Sequence, residues 1–395
     1  MSKSEKIELF AKQLNENYQL FNEKSIAKRR FKHKDIELII NKLHNNNLFI
    51  VNVIGKSIQE RNIYSIKIGT GKTKVLLWSQ MHGNEPTATQ AIMDIFNFFS
   101  QKSTFEKEKK SILENLTLFF VPMLNPDGTE VFKRRNFLDI DLNRDALRLS
   151  TIETQILKNL RDEIKADYGF NLHDQEIYYS AGNTKHPATI SFLAPAFNLE
   201  KTIDEGRKKS MRTIVLMNRI LQNFIPNQIG KYKDDFMPNA FGDNMQKWGT
   251  DTILIESGAY ENDREKQKVR KFNFIAILSA FLGISENTIQ NFDFEDYFKI
   301  PDNKKDNLFD ILIRNLKLKK NGIYYKVDIG IKTIEIENRD FTDFELKNTI
   351  SEIGDLSQNF GYKEVDGNEF VFEIENENKF LIGADADFIF QNLIR

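Results

Sequence analysis

Residues 74–85, KVLLWSQMHGNE, run directly into residues 86–99, PTATQAIMDIFNFF, and these two stretches set the architecture. Val75, Leu76, Leu77 and Trp78 form a continuous apolar run, as expected of a strand buried on both faces, and the segment from Pro86 has apolar residues at helical spacing. The polar tip between them holds His82 and Glu85. A histidine and a glutamate three apart, at the mouth of a strand-loop-helix unit, can aim a nitrogen and an oxygen at one cation. On an ordinary surface the same pair is merely solvated or mutually satisfied. A third ligand, a base and a substrate anchor must come from elsewhere in the chain.

The composition narrows the classes. A chain of 395 residues with 40% hydrophobic content can bury one large α/β domain and a smaller one. Lys+Arg 56 against Asp+Glu 57 leaves a net charge of -1, which argues against nucleic acid or anionic lipid as a partner. Without cysteine there is no disulfide, thiolate nucleophile or thiolate metal ligand. Residues 1–21 scatter charges through the start, unlike a secretory signal, and no later run is long enough to span a bilayer, so a soluble cytoplasmic protein is expected.

Residues 3–24 and 34–45 have helical apolar spacing and read as an N-terminal appendage, 1–47, packed on the main domain, with His33 and His44 exposed among Lys and Asn. Strand-like runs follow at 48–57, 61–68 and 73–80, then the 86–99 helix, and a central strand at 116–122 that ends in the turn-rich NPDG of 125–128. A helix is expected at 151–165, and residues 170–172 read as a strand leading into His173. A long helix at 200–224 precedes a Gly-, Pro- and Asn-rich stretch, 231–249, which reads as a loop over the site. Residues 252–255 form a strand ending in Glu256, and a helix over 262–285 closes a catalytic domain spanning 48–290. Two histidines at strand ends of an α/β sheet converge on the side where such folds hold their sites.

Between these elements, residues 129–146 concentrate Arg134, Arg135, Asp141, Asn143, Arg144 and Asp145. Such a segment is either a solvated loop with local ion pairs or an anion clamp, since arginine's planar fork suits a carboxylate. From 296 onward the texture changes to short strand-like runs with acidic turns. It reads as a separate β-rich or α+β module, 296–395, with a short helix at 341–353 and a last strand-like run, FVFEIEN, at 370–376.

HGNE at 82–85, NPDG at 125–128, RRN at 134–136, DLNR at 141–144, LHDQ at 172–175 and TILIESG at 252–258 together resemble the zinc carboxypeptidase family, peptidase family M14, of the carboxypeptidase A type. The resemblance covers roughly residues 52–285. It implies a three-layer α/β/α fold with a central mixed twisted sheet. It also implies one Zn2+ per chain held by His82, Glu85 and His173, with Glu256 as general base. It further implies Asn143 and Arg144 as the anchor for a terminal carboxylate, Arg134 as the arginine that polarises the scissile carbonyl with Arg135 as its competitor, and Asp141 as the acid that orients His82.

The resemblance leaves the substrate open. Tyr232 is the nearest match to the family's mobile tyrosine, or else an aromatic that packs its loop. Near 241–243, Asp243 either selects a basic side chain or caps a turn. Tyr178 and Tyr179 are candidates to line the cleft, and His186 reads as supporting or exposed. The leading expectation is a metallocarboxypeptidase acting on peptides with a free carboxylate. The alternatives are an amidase or deacylase of small N-acyl amino acids or cell-wall-type peptides, which HGNE and DLNR also resemble through the aspartoacylase and succinylglutamate desuccinylase enzymes, and an inactive binding module on the same fold. Oligomeric state is not legible.

Overall fold

A computed structural model of the chain describes residues 2–374 and 380–389. It divides into two compact units, Met1–Glu176 with Ala188–Asp302, and Ile177–Pro187 with Asn303–Arg395. The first unit begins with helices α1 (Lys3–Phe21) and α2 (His33–Leu43) and strands β1 (Phe49–Lys56), β2 (Asn62–Ile68) and β3 (Thr73–Trp78). It continues through α3 (Thr87–Ser100), α4 (Glu106–Asn115), β4 (Leu116–Val121), α5 (Pro126–Glu130), α6 (Ile152–Ile164) and β5 (Tyr168–Asp174). After β6 (Ser180–Ala181), which belongs to the second unit, it resumes with β7 (Ile190–Leu193), α7 (Glu205–Gln222), β8 (Ile229–Lys231), α8 (Phe241–Lys247), β9 (Asp251–Ser257) and α9 (Gln267–Ser285).

Eight strands form one mixed sheet in the order β1-β2-β4-β3-β5-β9-β7-β8, with β4, β3, β5 and β9 parallel at its centre. The apolar run of β3 serves both faces. Val75 and Leu77 enter a core with Ile92 and Phe96 of α3 and Phe274 and Ile277 of α9, while Leu76 and Trp78 enter a second core with Leu157 of α6 and Phe241 and Met245 of α8. Helices therefore cover both faces, giving the three-layer α/β/α arrangement.

The N-terminal helices share the first core, where Phe10 and Phe21 of α1 meet Phe98 of α3 edge to face. His33 departs from its expected exposure. It is buried at the start of α2 with Nε2 2.9 Å from the Asn62 carbonyl oxygen, whereas His44 is exposed. Beneath α1, α3 and α9 lies a buried ion pair: Arg270 Nε donates to Asp94 Oδ2 at 2.7 Å, and the Tyr18 hydroxyl donates to the same oxygen at 2.7 Å.

Two glycines explain why the loops behind β3 and β4 can touch. A Cβ on Gly83 would lie 2.1 Å from the Gly128 carbonyl carbon, and one on Gly128 would lie 2.6 Å from Arg135 O. Backbone packs directly on backbone there, so a side chain at either position would push the HGNE loop off its seat. Asn125 caps the short helix α5 by accepting from Gly128 N at 2.9 Å, so the NPDG turn signal opens one helical turn. The stretch 231–249, expected as loop throughout, contains α8, because Phe241 and Met245 are one helical turn apart and both are buried.

Glu153, in the first turn of α6, is fully buried, and among the described residues neither of its oxygens has a hydrogen-bond partner of ordinary geometry, although Asn136 and the Ile58 backbone lie near enough to favour its charged form. Burial pushes its carboxyl above the usual range, and the charge of Asp127 adds to this. A carboxyl raised in the folded state favours folding below its unfolded pKa and opposes it as pH rises through that value. Glu153→Gln should therefore stabilise the protein at neutral pH by about 1–2 kcal/mol. In urea titrations at several pH values the gain should shrink as pH falls toward about 4.5 and be nearly absent below it.

The second unit pairs β6 with β10 (Asn303–Lys304). Its main sheet is built from β11 (Leu308–Lys320), β12 (Ile323–Glu337), β13 (Phe344–Gly354), β14 (Phe360–Asp366) and β15 (Val371–Glu373). Ile313, Leu316, Ile329, Ile331 and Ile350 form its core. The helix expected at 341–353 is instead β13. Leu346, Ile350 and Ile353 are spaced as on a helix, but pairing with β12 from Phe344↔Glu337 to Gly354↔Asp328 overrides that spacing. Glu375 and Asn376, the end of the FVFEIEN run, lie outside the described residues. The division falls after Asp302 rather than at 296, and the second unit also takes Ile177–Pro187, which the expected boundaries place in the first.

Candidate metal centre and active site

β3 and β5 are parallel neighbours, as are β5 and β9, so the residues at their carboxyl ends emerge side by side. His82 and Glu85 lie on the loop after β3, His173 lies near the end of β5, and Glu256 is its register partner on β9. His82 Nδ1 lies 2.7 Å from Glu85 Oε1, His173 Nδ1 lies 2.7 Å from Glu85 Oε2, and the two Nδ1 atoms are 3.2 Å apart. All three residues are buried.

The outer contacts fix the ring of His82. Its Nε2–H donates to Asp141 Oδ1 at 3.0 Å, so the neutral imidazole carries its lone pair on Nδ1, the atom aimed at Glu85 and His173. Asp141 is itself held: Oδ1 accepts from Asn143 N at 2.9 Å and Oδ2 accepts from Arg134 Nε at 3.0 Å. Burial opposes a charge on His82, yet Glu85 and Asp141 outweigh it and raise its pKa. Burial lowers that of His173. Burial alone would raise Glu85, but the two histidines hold its carboxyl far below the usual range.

Two imidazole nitrogens and a carboxylate, all acceptors and all within 4.8 Å of one another, are a donor set for one divalent cation. Bonds of about 2.0–2.1 Å in a tetrahedron place ligand atoms roughly 3.3 Å apart, close to the separation of the two Nδ1 atoms. The set fits zinc and leaves a position open.

Glu256 completes the arrangement from the neighbouring strand. Its Oε2 is buried with no hydrogen-bond partner among the described residues, and burial, together with the charges of Glu85 and Asp174, pushes its carboxyl well above the usual range.

A family model described as Zinc carboxypeptidase matches residues 36–155. Over these residues the chain is similar to the zinc carboxypeptidase family.

Probable carboxypeptidase 2 of Trichophyton verrucosum is 28% identical over 141 residues, 34% of this chain and 26% of that protein. Human Carboxypeptidase D is 24% identical over 128 residues, 28% of this chain and 9% of its own length. The matched stretch thus spans about a quarter or less of these family members. The fold match extends further. A metallo-carboxypeptidase from Burkholderia cenocepacia superposes with a TM-score of 0.54 at 16% identity, over 65% of this chain and 70% of that one. Carboxypeptidase A from Helicoverpa armigera gives 0.52 at 14% identity, over 69% and 80%.

The remaining residues singled out from the family motifs divide clearly. Arg134 enters the site, with Nη1 donating to Glu85 Oε1 at 3.1 Å, whereas Arg135 is exposed and donates to Asp139 O at 2.8 Å. Asn143 Oδ1 accepts from Phe241 N at 2.8 Å and so ties the start of α8 to the site, while Arg144 is exposed with Nη1 on Asn143 O. Asp243 is buried and accepts from Met237 N at 2.9 Å, and burial pushes its carboxyl up to about 6. Tyr232 is half-buried and extends the β7–β8 pairing by donating from N to Phe192 O at 2.9 Å. Tyr178 and Tyr179 belong to the second unit, where the Tyr178 hydroxyl donates to Asp310 at 2.6 Å. His186 is also in that unit, where its carbonyl accepts from Ala181 N at 3.0 Å.

Sequence reasoning passed over Asp174, Lys266 and Thr87. Asp174 had a signal, an acid directly after a strand-end histidine. Lys266 had none, because it lies among ordinary charges in NDREKQK and 92 residues from its partner.

Proposed function

We propose that the chain is a zinc-dependent carboxypeptidase that hydrolyses the C-terminal peptide bond of peptides with a free carboxylate. The observation carrying this reading is the meeting of His82, Glu85 and His173 around one point, with Glu256 on the adjacent strand, its buried Oε2 without a hydrogen-bond partner among the described residues. A zinc ion held by the three ligands supplies Lewis acidity and makes water a stronger acid. Glu256 accepts the proton of the attacking water at its carboxylate and passes it to the leaving amine.

Arg134, whose guanidinium already lies against Glu85 and Asp141, donates to the oxygen of the scissile carbonyl as charge develops there. Arg135, turned toward Asp139, is the weaker candidate for that role. Arg144 receives the terminal carboxylate with the amide nitrogen of Asn143, whose oxygen is engaged by Phe241. The hydrogen bond from Met237 to Asp243 supports the turn-capping reading of that aspartate over selection of a basic side chain.

A metal-replete mass-spectrometric screen of peptide acids, their C-terminal amides and N-acyl amino acids tests the reading. Peptide acids should lose one C-terminal residue, with the amides at least about 100-fold slower. Equal cleavage of amides would remove the Arg144 clamp, and turnover of N-acyl amino acids alone would make the chain an amidase. Arg144→Ala should lower kcat/KM on peptide acids about 10–100-fold, through KM, since one charge-assisted contact is lost.

A further inference from the structure

The three segments that carry the metal ligands and the base meet at one buried ion pair that the reaction does not use. Lys266 lies just before α9, and its side chain is 5% exposed, as is that of Asp174. Its Nζ lies 3.3 Å from Asp174 Oδ2, 3.1 Å from Gln175 O and 2.8 Å from Ser257 O. Gln175 O and Asp174 belong to the chain leaving β5 just past His173. Ser257 O ends β9 just past Glu256.

Asp174 reaches the third segment. The Thr87 hydroxyl donates to Asp174 Oδ2 at 2.5 Å, and Asp174 N donates to Glu85 Oε2 at 3.2 Å. Thr87 opens α3, immediately after the loop that carries His82 and Glu85. The lysine holds its backbone at φ 51°, in the left-handed region that is uncommon for residues other than glycine.

We propose that Asp174 and Lys266 form a clasp that sets the spacing between the metal ligands and Glu256, with Lys266 as a positioning residue for both. This rests on the reading of the site given above. Three carboxylates, Glu85, Asp174 and Glu256, crowd the carboxyl ends of these strands, and Lys266 acts electrostatically on both Asp174 and Glu256. An uncharged chain of similar length would fill the space without drawing the two strand ends together or balancing the carboxylates.

The test compares the parent, Lys266→Met and the double variant Asp174→Asn/Lys266→Met. Zinc affinity is read by chelator competition, kcat and KM at saturating zinc, and unfolding in urea. Lys266→Met should still bind one zinc ion, about tenfold more weakly, with kcat about 100-fold lower and KM within threefold. The double variant removes the unpaired acid. It should regain most of the lost stability while zinc affinity and kcat stay low. Zinc affinity within threefold of the parent in Lys266→Met would overturn the clasp, as would kcat and affinity returning together with stability in the double variant. A parent that binds zinc but hydrolyses no peptide would refute the proposed activity, and the zinc-affinity comparison would still decide the clasp.

Discussion

Glu256→Gln is expected to bind one zinc ion per chain as the parent does and to hydrolyse peptide acids about 10³–10⁴-fold more slowly at unchanged KM. The carboxamide keeps the shape and can still donate a hydrogen bond, but it cannot take a proton from water or return one to the leaving amine. The side chain is not among the three clustered ligands, so the metal should stay. Its buried Oε2, without a hydrogen-bond partner among the described residues, also leaves the structure little reason to collapse on the change. Zinc analysis of the purified variant beside single-turnover kinetics separates the two effects. Loss of zinc, or a rate within tenfold of the parent, would exclude Glu256 as the base.

Arg270→Met should be the most destabilising of the substitutions considered, by about 3–5 kcal/mol. Arg270 is fully buried, and besides Asp94 it donates to the Ile26 carbonyl at 3.1 Å and the Glu23 carbonyl at 2.9 Å. Methionine fills part of the volume but leaves the Asp94 carboxylate in the core with, among the described residues, Tyr18 and the Glu23 amide as its donors. The double variant Asp94→Asn/Arg270→Met removes the stranded charge and should recover about half of the loss in urea unfolding. A single-variant cost below about 1 kcal/mol would mean that water reaches Asp94.

The elements legible in the sequence are those whose own residues decide their environment. β3 and β9 carry the apolar runs VLLW and ILI and β5 alternates apolar Tyr168, Phe170 and Leu172 toward the first core, and the chemistry sits at or just past the ends of these patterns, at His82, His173 and Glu256. What escaped notice depends on distant partners. The i, i+4 pair of α8 was hidden among loop-forming residues, and the helical spacing of β13 yields to pairing with β12. Burial of His33 comes from the Asn62 carbonyl, and the Asp174–Lys266 contact joins residues 92 apart. Local pattern carries no record of such meetings.

The assignment of Ile177–Pro187 to the second unit has a practical consequence. The chain passes between the units after Glu176, after Pro187 and after Asp302, so no single cut separates them. Shortening the protein at Asp302 would take β10 from β6, Asp310 from Tyr178 and Asn307 from Ser180. Tyr178 and β6 both lie on the stretch that leaves His173. A shortened form that loses activity would therefore report a frayed strand exit as readily as a missing module, and point substitutions in the β11–β13 sheet are the cleaner way to ask what the second unit does.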